Sequence, residues 1–185
     1  LDDSRIIYHF LYTLISVFTL LAAGWICARC SKGCVDFALF YRRFSLGYLP
    51  LCAFLFILQF FLLRTFGNIF VTANSVPFRG EIYCLWYYAK TGTLSFSTAL
   101  HSAGNVLYFT SLSLALCGTV RRRPMLWGTL VPVALSVFVE SFQLLTKSGD
   151  ADVDDIILNT LGAVLGVLIF RLLLRPLLQK ETRIC

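Results

Sequence analysis

The chain has 185 residues, 58% of them hydrophobic, and a formal net charge of +6 at pH 7. Its mean hydropathy of +0.77 excludes an ordinary soluble domain, because so short a chain has too little polar surface to cover several wholly apolar helices. The basic residues lie between apolar runs rather than along one face, which argues against a nucleic-acid partner. We therefore predict an all-α polytopic membrane helix bundle, with residues 1–185 forming a single transmembrane domain.

Two apolar runs in the first third of the chain are predicted to cross the membrane. The first covers residues 6–28 and is long enough for a hydrocarbon core about 30 Å thick. Acidic Asp2 and Asp3 precede it in place of a basic region, and no cleavage site follows, so we expect a retained helix rather than a leader. A basic loop that includes Arg42 and Arg43 then leads to the second span, residues 46–63.

Three cysteines, Cys27, Cys30 and Cys34, lie close together in that basic loop, in the sequence CARCSKGC. They could bind zinc or carry an acyl chain. The alternative is a reduced segment without a ligand, and it is favoured because a closed zinc site needs a fourth ligand. The odd total of seven cysteines does not indicate a disulfide framework.

Residues 64–98 are mixed in composition and are predicted to form a long outer loop. Within it, residues 81–89 (EIYCLWYYA) are too few to cross a bilayer but are rich in tyrosine and tryptophan. This composition is typical of a helix that lies at the membrane surface. A structured loop is the alternative.

Three further spans are predicted at residues 99–120, 125–145 and 155–174, separated by the arginines at 121–123 and by a short acidic loop. The first loop, the third loop and the carboxyl-terminal tail hold eleven of the 16 Lys and Arg residues. Because basic residues beside spans stay in the cytoplasm, we expect the amino terminus outside and the carboxyl terminus inside.

Polar side chains gather at the outer ends of the last three spans. They are His101, Ser102 and Asn105 in the third, Glu140 and Gln143 in the fourth, and Asp152, Asp154, Asp155 and Asn159 in the fifth. Spacings of three and four place each set on one helix face. Gly162 and Gly166 continue the face of the fifth span and would allow close helix packing. A carboxylate facing lipid is costly, so Glu140 should face the bundle interior or a wet cavity.

Several interpretations of this polar set remain open. The groups could only bond to one another and tie the helices together. Asp152 and Asp154 could belong to a solvated loop, and Asp155 could only cap the fifth helix. Otherwise the carboxylates need a cation, shared protons or a basic partner such as Lys147, Arg79 or His101. A divalent cation would fit the acidic cluster, but the sequence fixes no ligand geometry, so metal content is left unassigned.

Four motifs between residues 74 and 170 resemble the VanZ-like family of small bacterial membrane proteins. They are NSVPFRG, NVLYF, VESFQ and DADVDDIILNTLGAVLG, and they occur in the family's order. The family's motif residues correspond here to Asn74, Pro77, Phe78, Asn105, Glu140, Gln143, Asp152, Asp155, Asn159, Gly162 and Gly166. The sequence departs from the pattern in one place, because the arginine usual shortly before the first aspartate is missing. Lys147 or Arg79 could replace its charge, but a lysine cannot reproduce the bidentate fork.

The resemblance implies a multi-pass protein of the bacterial cytoplasmic membrane with a role in the cell envelope. The family is named for a protein associated with lowered susceptibility to teicoplanin, a lipid-tailed glycopeptide antibiotic. Our first hypothesis is an outer-face polar cavity that binds an amphipathic or lipid-linked ligand, such as a wall precursor or a lipoglycopeptide. The ligand-binding candidates are Asn74, Asn105, Glu140, Gln143, Asp152, Asp155 and Asn159, with the tyrosines and tryptophan of residues 81–89 contacting apolar parts.

Two other functions are weighed against ligand binding. One is an intramembrane hydrolase or transferase acting on a lipid-linked envelope substrate, in which Glu140, Asp155 and His101 are the catalytic candidates. No closed catalytic signature is present, so the question of enzymatic activity stays open. The other is a proton-coupled carrier that uses Glu140, which five spans without an internal repeat make less favourable. Membrane lipids are expected partners, and the sequence does not indicate an oligomeric state.

Overall fold

The computed structural model describes residues 37–62, 73–92, 96–148, 150–176 and 178. The predicted first span at residues 6–28 and the cluster of Cys27, Cys30 and Cys34 lie outside the described residues. So does part of the predicted outer loop, including residues 63–72.

The described chain is mostly helical, as predicted. Its elements in order are α1 (Phe37–Leu62), β1 (Ala73–Asn74), α2 (Arg79–Thr91), α3 (Phe96–Thr119), α4 (Pro124–Thr146), β2 (Ala151–Asp152), α5 (Val153–Ile169) and a π-helical segment (Phe170–Leu174). The helices α3 and α4 begin and end within three residues of the predicted third and fourth spans.

Two predictions of loop structure need correction. The prediction of a loop at Arg42 and Arg43 is wrong, because both residues lie in the second turn of α1. Hydropathy marks where a helix leaves the hydrocarbon, whereas the backbone hydrogen bonds of a helix continue through charged residues. Residues 81–89 are helical within α2, so the structured-loop alternative is also wrong for this segment.

Two of the described helices are long and apolar enough to cross a membrane. They are Pro124–Thr146, which is α4, and Val153–Leu174, which is α5 with its π-helical continuation. Their 23 and 22 residues exceed the roughly 20 that a hydrocarbon core needs. This finding rests on length and composition, and the count of five spans stays a prediction.

The central helix of the described bundle is α3, which contacts α1, α4 and α5. Hydroxyl groups join it to its parallel neighbour α5, where Thr110 Oγ1 donates to the Gly162 carbonyl at 3.0 Å and Ser113 Oγ to the Ala163 carbonyl at 2.9 Å. The antiparallel helix α1 is joined through Tyr48, whose hydroxyl donates to Ser111 Oγ at 2.7 Å. Polar side chains therefore link helices inside an otherwise apolar bundle.

Gly162 and Gly166 lie where α5 approaches α3 most closely. A Cβ at Gly162 would overlap the carbonyl oxygen of Val106, and one at Gly166 would lie 2.6 Å from the Thr110 carbonyl oxygen. The obstructing atoms belong to the backbone of α3 and cannot rotate away. Any larger residue at these positions must push the two helices apart.

The bundle has a polar end and a basic end. The polar end holds the beginnings of α3 and α5 and the end of α4, as the hydrogen bond from Asn105 to Asp155 and that from the Asp152 N–H to Glu140 show. At the other end, the Tyr41 ring stacks on Phe170 with centroids 6.4 Å apart. The described arginines of this basic end are Arg42, Arg43, Arg121, Arg122, Arg123, Arg171 and Arg175. Charge is thus segregated along the bundle axis.

Candidate functional site

A short pairing of two strands holds the segment before α2 against the loop between α4 and α5. β1 and β2 are parallel, with Ala73 opposite Ala151 and Asn74 opposite Asp152. Each strand is only two residues long. The pairing places the turn at residues 74–78 directly over the beginning of α5.

Asp152 connects three elements of the polar end. Its backbone N–H donates to Glu140 Oε2 at 2.9 Å. Its Oδ1 accepts from Asn74 Nδ2 at 3.0 Å and from the Asp154 N–H at 2.9 Å. The bond from the Asp154 N–H makes Asp152 the N-cap of α5. One interpretation of the sequence gave this role to Asp155. Asp152 thereby fixes β1, α4 and α5 relative to one another.

Asp154 ties the turn to the bundle core. It is only 3% exposed, and its Oδ1 accepts from the Phe78 N–H at 2.5 Å. Phe78 has a positive φ of 60° and is the N-cap of α2, so this hydrogen bond holds the residue immediately before the helix. The alternative that Asp152 and Asp154 belong to a solvated loop is wrong, because both are held in this network and Asp154 is buried.

A second group of polar side chains lies between α3 and α5. Asn105 Nδ2 donates to Asp155 Oδ1 at 2.6 Å, and His101 Nδ1 lies 3.7 Å from the same oxygen. The His101 side chain is 44% exposed and that of Asp155 is 20% exposed. Both side chains of this pair are therefore more exposed than Glu140 and Asp154.

Asn159 and Gln143 lie deeper, among residues buried from solvent. Asn159 Nδ2 donates to Ser136 Oγ at 2.8 Å, which links α5 to α4. The other polar atom of the Asn159 side chain, Oδ1, is buried without a partner among the described residues. Gln143 is 4% exposed, and its backbone carbonyl accepts from the Ser148 N–H. Asn159 therefore joins two helices, and both side chains are buried from solvent.

The helix that follows the turn presents an aromatic surface. In α2, the rings of Tyr83 and Trp86 are 5.8 Å apart, and those of Tyr83 and Tyr87 are 6.4 Å apart. Lys90 Nζ lies 4.1 Å from the centroid of the Trp86 ring, a cation–π contact. The described apolar and aromatic side chains of α2 are between 41% and 64% exposed. Such a surface suits contact with an apolar or interfacial partner.

The geometry gives a divalent cation no support. The described residues contain no group of three or more His, Cys, Asp or Glu side chains placed to hold a metal ion.

Lys147 and Arg79, which the sequence offered as basic partners of the carboxylates, are both exposed. Lys147 caps the end of α4 with a φ of 52°.

Comparison with known families gives one assignment. A family model described as VanZ/LLP1 matches residues 38–174. The chain belongs to the VanZ/LLP1 family. The match begins within α1 and ends with the π-helical segment, and so extends beyond the motifs at residues 74–170. No curated protein and no solved structure shows significant similarity to the chain.

In this VanZ/LLP1 protein the motif residues converge at the polar end. Asn74, Glu140 and Asp152 form one network, and Asn105 meets Asp155 in the second group. Asp154 belongs to the polar set predicted from the sequence and Phe78 to a family motif, but neither is among the predicted ligand-binding residues, and Ser136 belongs to neither set. Ser136 had a detectable signal, because it precedes Glu140 by four residues and shares its helix face. The contact between Asp154 and Phe78 had none, because it depends on a pairing between distant segments.

Proposed function

We propose that this VanZ/LLP1 membrane protein crosses the bacterial cytoplasmic membrane several times, and that its polar end binds an amphipathic or lipid-linked ligand of the cell envelope at the outer face. The observation that supports this most strongly is the hydrogen bond between Asp154 and the Phe78 N–H. It attaches an exposed aromatic helix directly to a cluster of carboxylates and amides. An amphiphile needs an apolar surface and a polar surface side by side, and this attachment supplies both.

The exposed aromatic groups and the exposed polar groups contact different parts of the ligand in this proposal. Tyr83, Trp86 and Tyr87 offer ring faces to acyl chains or sugar rings. At the beginning of α3 and α5, His101 and Asp155 are the accessible polar groups that can contact a head group. Glu140 and Asp152 stabilise the arrangement from beneath through their own hydrogen bond.

The proposed orientation follows from the basic end. Arg121, Arg122 and Arg123 between α3 and α4 should stay in the cytoplasm, which puts Asp150 and the polar end outside. We expect a cysteine introduced by Asp150→Cys to react with a membrane-impermeant maleimide in intact cells. One introduced by Arg122→Cys should react only after the cells are permeabilised. Both are made in a chain whose native cysteines are replaced by serine, and the reverse pattern would contradict the orientation.

Teicoplanin susceptibility tests the envelope function directly. Expression of the protein in a susceptible bacterium should raise the minimum inhibitory concentration of teicoplanin. Asp155→Asn should abolish most of that increase, because it removes the exposed negative charge beside His101. Asp150→Asn, which makes the same charge change at an exposed loop residue, should retain it. An unchanged inhibitory concentration with the wild-type protein, at confirmed membrane expression, would refute this function.

One observation favours an enzyme as the second candidate. An exposed imidazole whose Nδ1 faces a carboxylate is an arrangement that orients a general base, and His101 and Asp155 have it. Asn105 holds the same carboxylate oxygen in place. In the same assay, His101→Gln separates the two functions. An enzyme that depends on this imidazole would lose the whole increase, whereas a binding protein would lose only part of it.

A further inference from the structure

One carboxylate oxygen at the polar end has no hydrogen-bond partner among the described residues. Asp154 is 3% exposed, and while its Oδ1 accepts from the Phe78 N–H, its Oδ2 is buried and bonds to none of them. Buried carboxylate oxygens are normally paired, because an uncompensated charge away from water is costly. The unpaired oxygen therefore indicates a donor that is bound from outside the described chain.

The surroundings of this oxygen are rich in acceptors. Asp152 lies beside it, with an Oδ1 that accepts from the Asp154 N–H and from Asn74. Glu140, which is 6% exposed, binds the Asp152 N–H from the opposite side. Three carboxylate residues, Glu140, Asp152 and Asp154, are thus connected by consecutive hydrogen bonds next to the turn at residues 74–78. A group that carries positive charge and donates several hydrogen bonds complements them.

A primary ammonium group fits this lining better than a metal ion. A dehydrated divalent metal needs several ligands in a defined geometry, and the described residues contain no such group of three side chains. An ammonium group has three donors and no acceptor, and requires no fixed coordination geometry. Residues 75–80, which include Phe78, are all exposed, so the segment that bonds to Asp154 borders solvent.

We propose that Asp154 is the anionic contact for a primary ammonium group on the head of the bound amphiphile. This inference rests on the proposed amphiphile-binding function and specifies its ligand class. The apolar body of the ligand extends along α2, because the Phe78 N–H that binds Asp154 immediately precedes this helix. Ile82, Tyr83 and Trp86 are 61%, 63% and 50% exposed on it.

Binding of matched amphiphiles to the full chain tests the inference. The protein is placed in nanodiscs of phosphatidylcholine, a lipid without a primary ammonium group, and titrated calorimetrically below the micellar concentration of each probe. The probes are dodecylammonium, dodecyltrimethylammonium, dodecyl sulfate, ethanolamine and calcium chloride. Dodecylammonium should bind at least about tenfold more tightly than its trimethyl homologue, which has no N–H donors. Asp154→Asn should remove this preference, and Asp150→Asn should leave it unchanged.

The outcomes separate this inference from the function on which it rests. Equal binding of the two alkyl cations, or tighter binding of dodecyl sulfate, overturns the ammonium site and leaves amphiphile binding standing. No binding of any alkyl probe overturns both. Ethanolamine binding as tight as that of dodecylammonium supports the ammonium site and contradicts the amphiphile. If calcium stabilises the wild type but not Asp154→Asn, and dodecylammonium is not preferred over its trimethyl homologue, the site binds a metal and the ammonium site is overturned. If Asp154→Asn does not fold, the preference of the wild type for dodecylammonium over dodecyltrimethylammonium supports or overturns the ammonium site by itself.

Discussion

Replacement of Gly162 by alanine is expected to destabilise the protein by about 1–3 kcal/mol, because the added methyl group forces α5 away from α3. The methyl group would overlap the Val106 carbonyl oxygen and lie 3.1 Å from the Phe109 Cβ. Separation of the helices would also lengthen the hydrogen bonds from Thr110 to Gly162 and from Ser113 to Ala163. The loss should appear as a lower midpoint of thermal unfolding for the purified protein in detergent, and as lower membrane expression.

Gly47→Ala provides the matched control for this prediction. Gly47 is also helical, in α1, but a Cβ there would meet nothing within 4 Å. Alanine at an exposed helical position is expected to stabilise by about 0.5–1 kcal/mol, because glycine loses more backbone entropy on folding. The two substitutions should therefore shift the midpoint in opposite directions. Equal effects would show that helix propensity, and not the approach of α3 and α5, decides the outcome at Gly162.

The helices of the bundle were predictable because each apolar run ends at charged or helix-breaking residues. Arginines at 121–123 and Pro124 separate α3 from α4, and the acidic segment before Val153 separates α4 from α5. The spacing of Asp155, Asn159, Gly162 and Gly166 also identified one face of α5. In the structure Asp155, Gly162 and Gly166 meet α3, whereas Asn159 bonds to Ser136 on α4.

The arrangement within the polar end was not predictable, because it depends on segments far apart in the chain. Two-residue strands such as β1 and β2 have no periodicity that a sequence could reveal, yet their pairing brings Asn74 to Asp152. That pairing makes Asp152 the N-cap and turns Asp154 inward to Phe78. Four aspartates within six residues offer several caps of similar quality, and only the backbone path selects one.

Glu140 is expected to act by positioning the turn rather than by contacting the ligand. Its side chain is 6% exposed, and its Oε2 accepts from the Asp152 N–H. Glu140→Ala should destabilise the fold by about 1–3 kcal/mol, because it leaves the part-buried Asp152 N–H without this acceptor. Glu140→Gln retains an oxygen at that position and should cost less. Thermal unfolding measures both, and hydrogen exchange at the Phe78 amide should accelerate in Glu140→Ala.

A double-mutant cycle with Asn74→Ala distinguishes positioning from a purely local effect. Glu140 and Asn74 lie on different elements, and both bond to Asp152. If Asp152 transmits the constraint from α4 to the turn, the losses in the single variants should sum to more than the loss in the double variant. Strictly additive losses, with unchanged exchange at Phe78, would contradict this account. Coupling would mean that a buried carboxylate in α4 sets the position of the aromatic helix, because hydrogen bonds through Asp152 and Asp154 connect Glu140 to the Phe78 N–H.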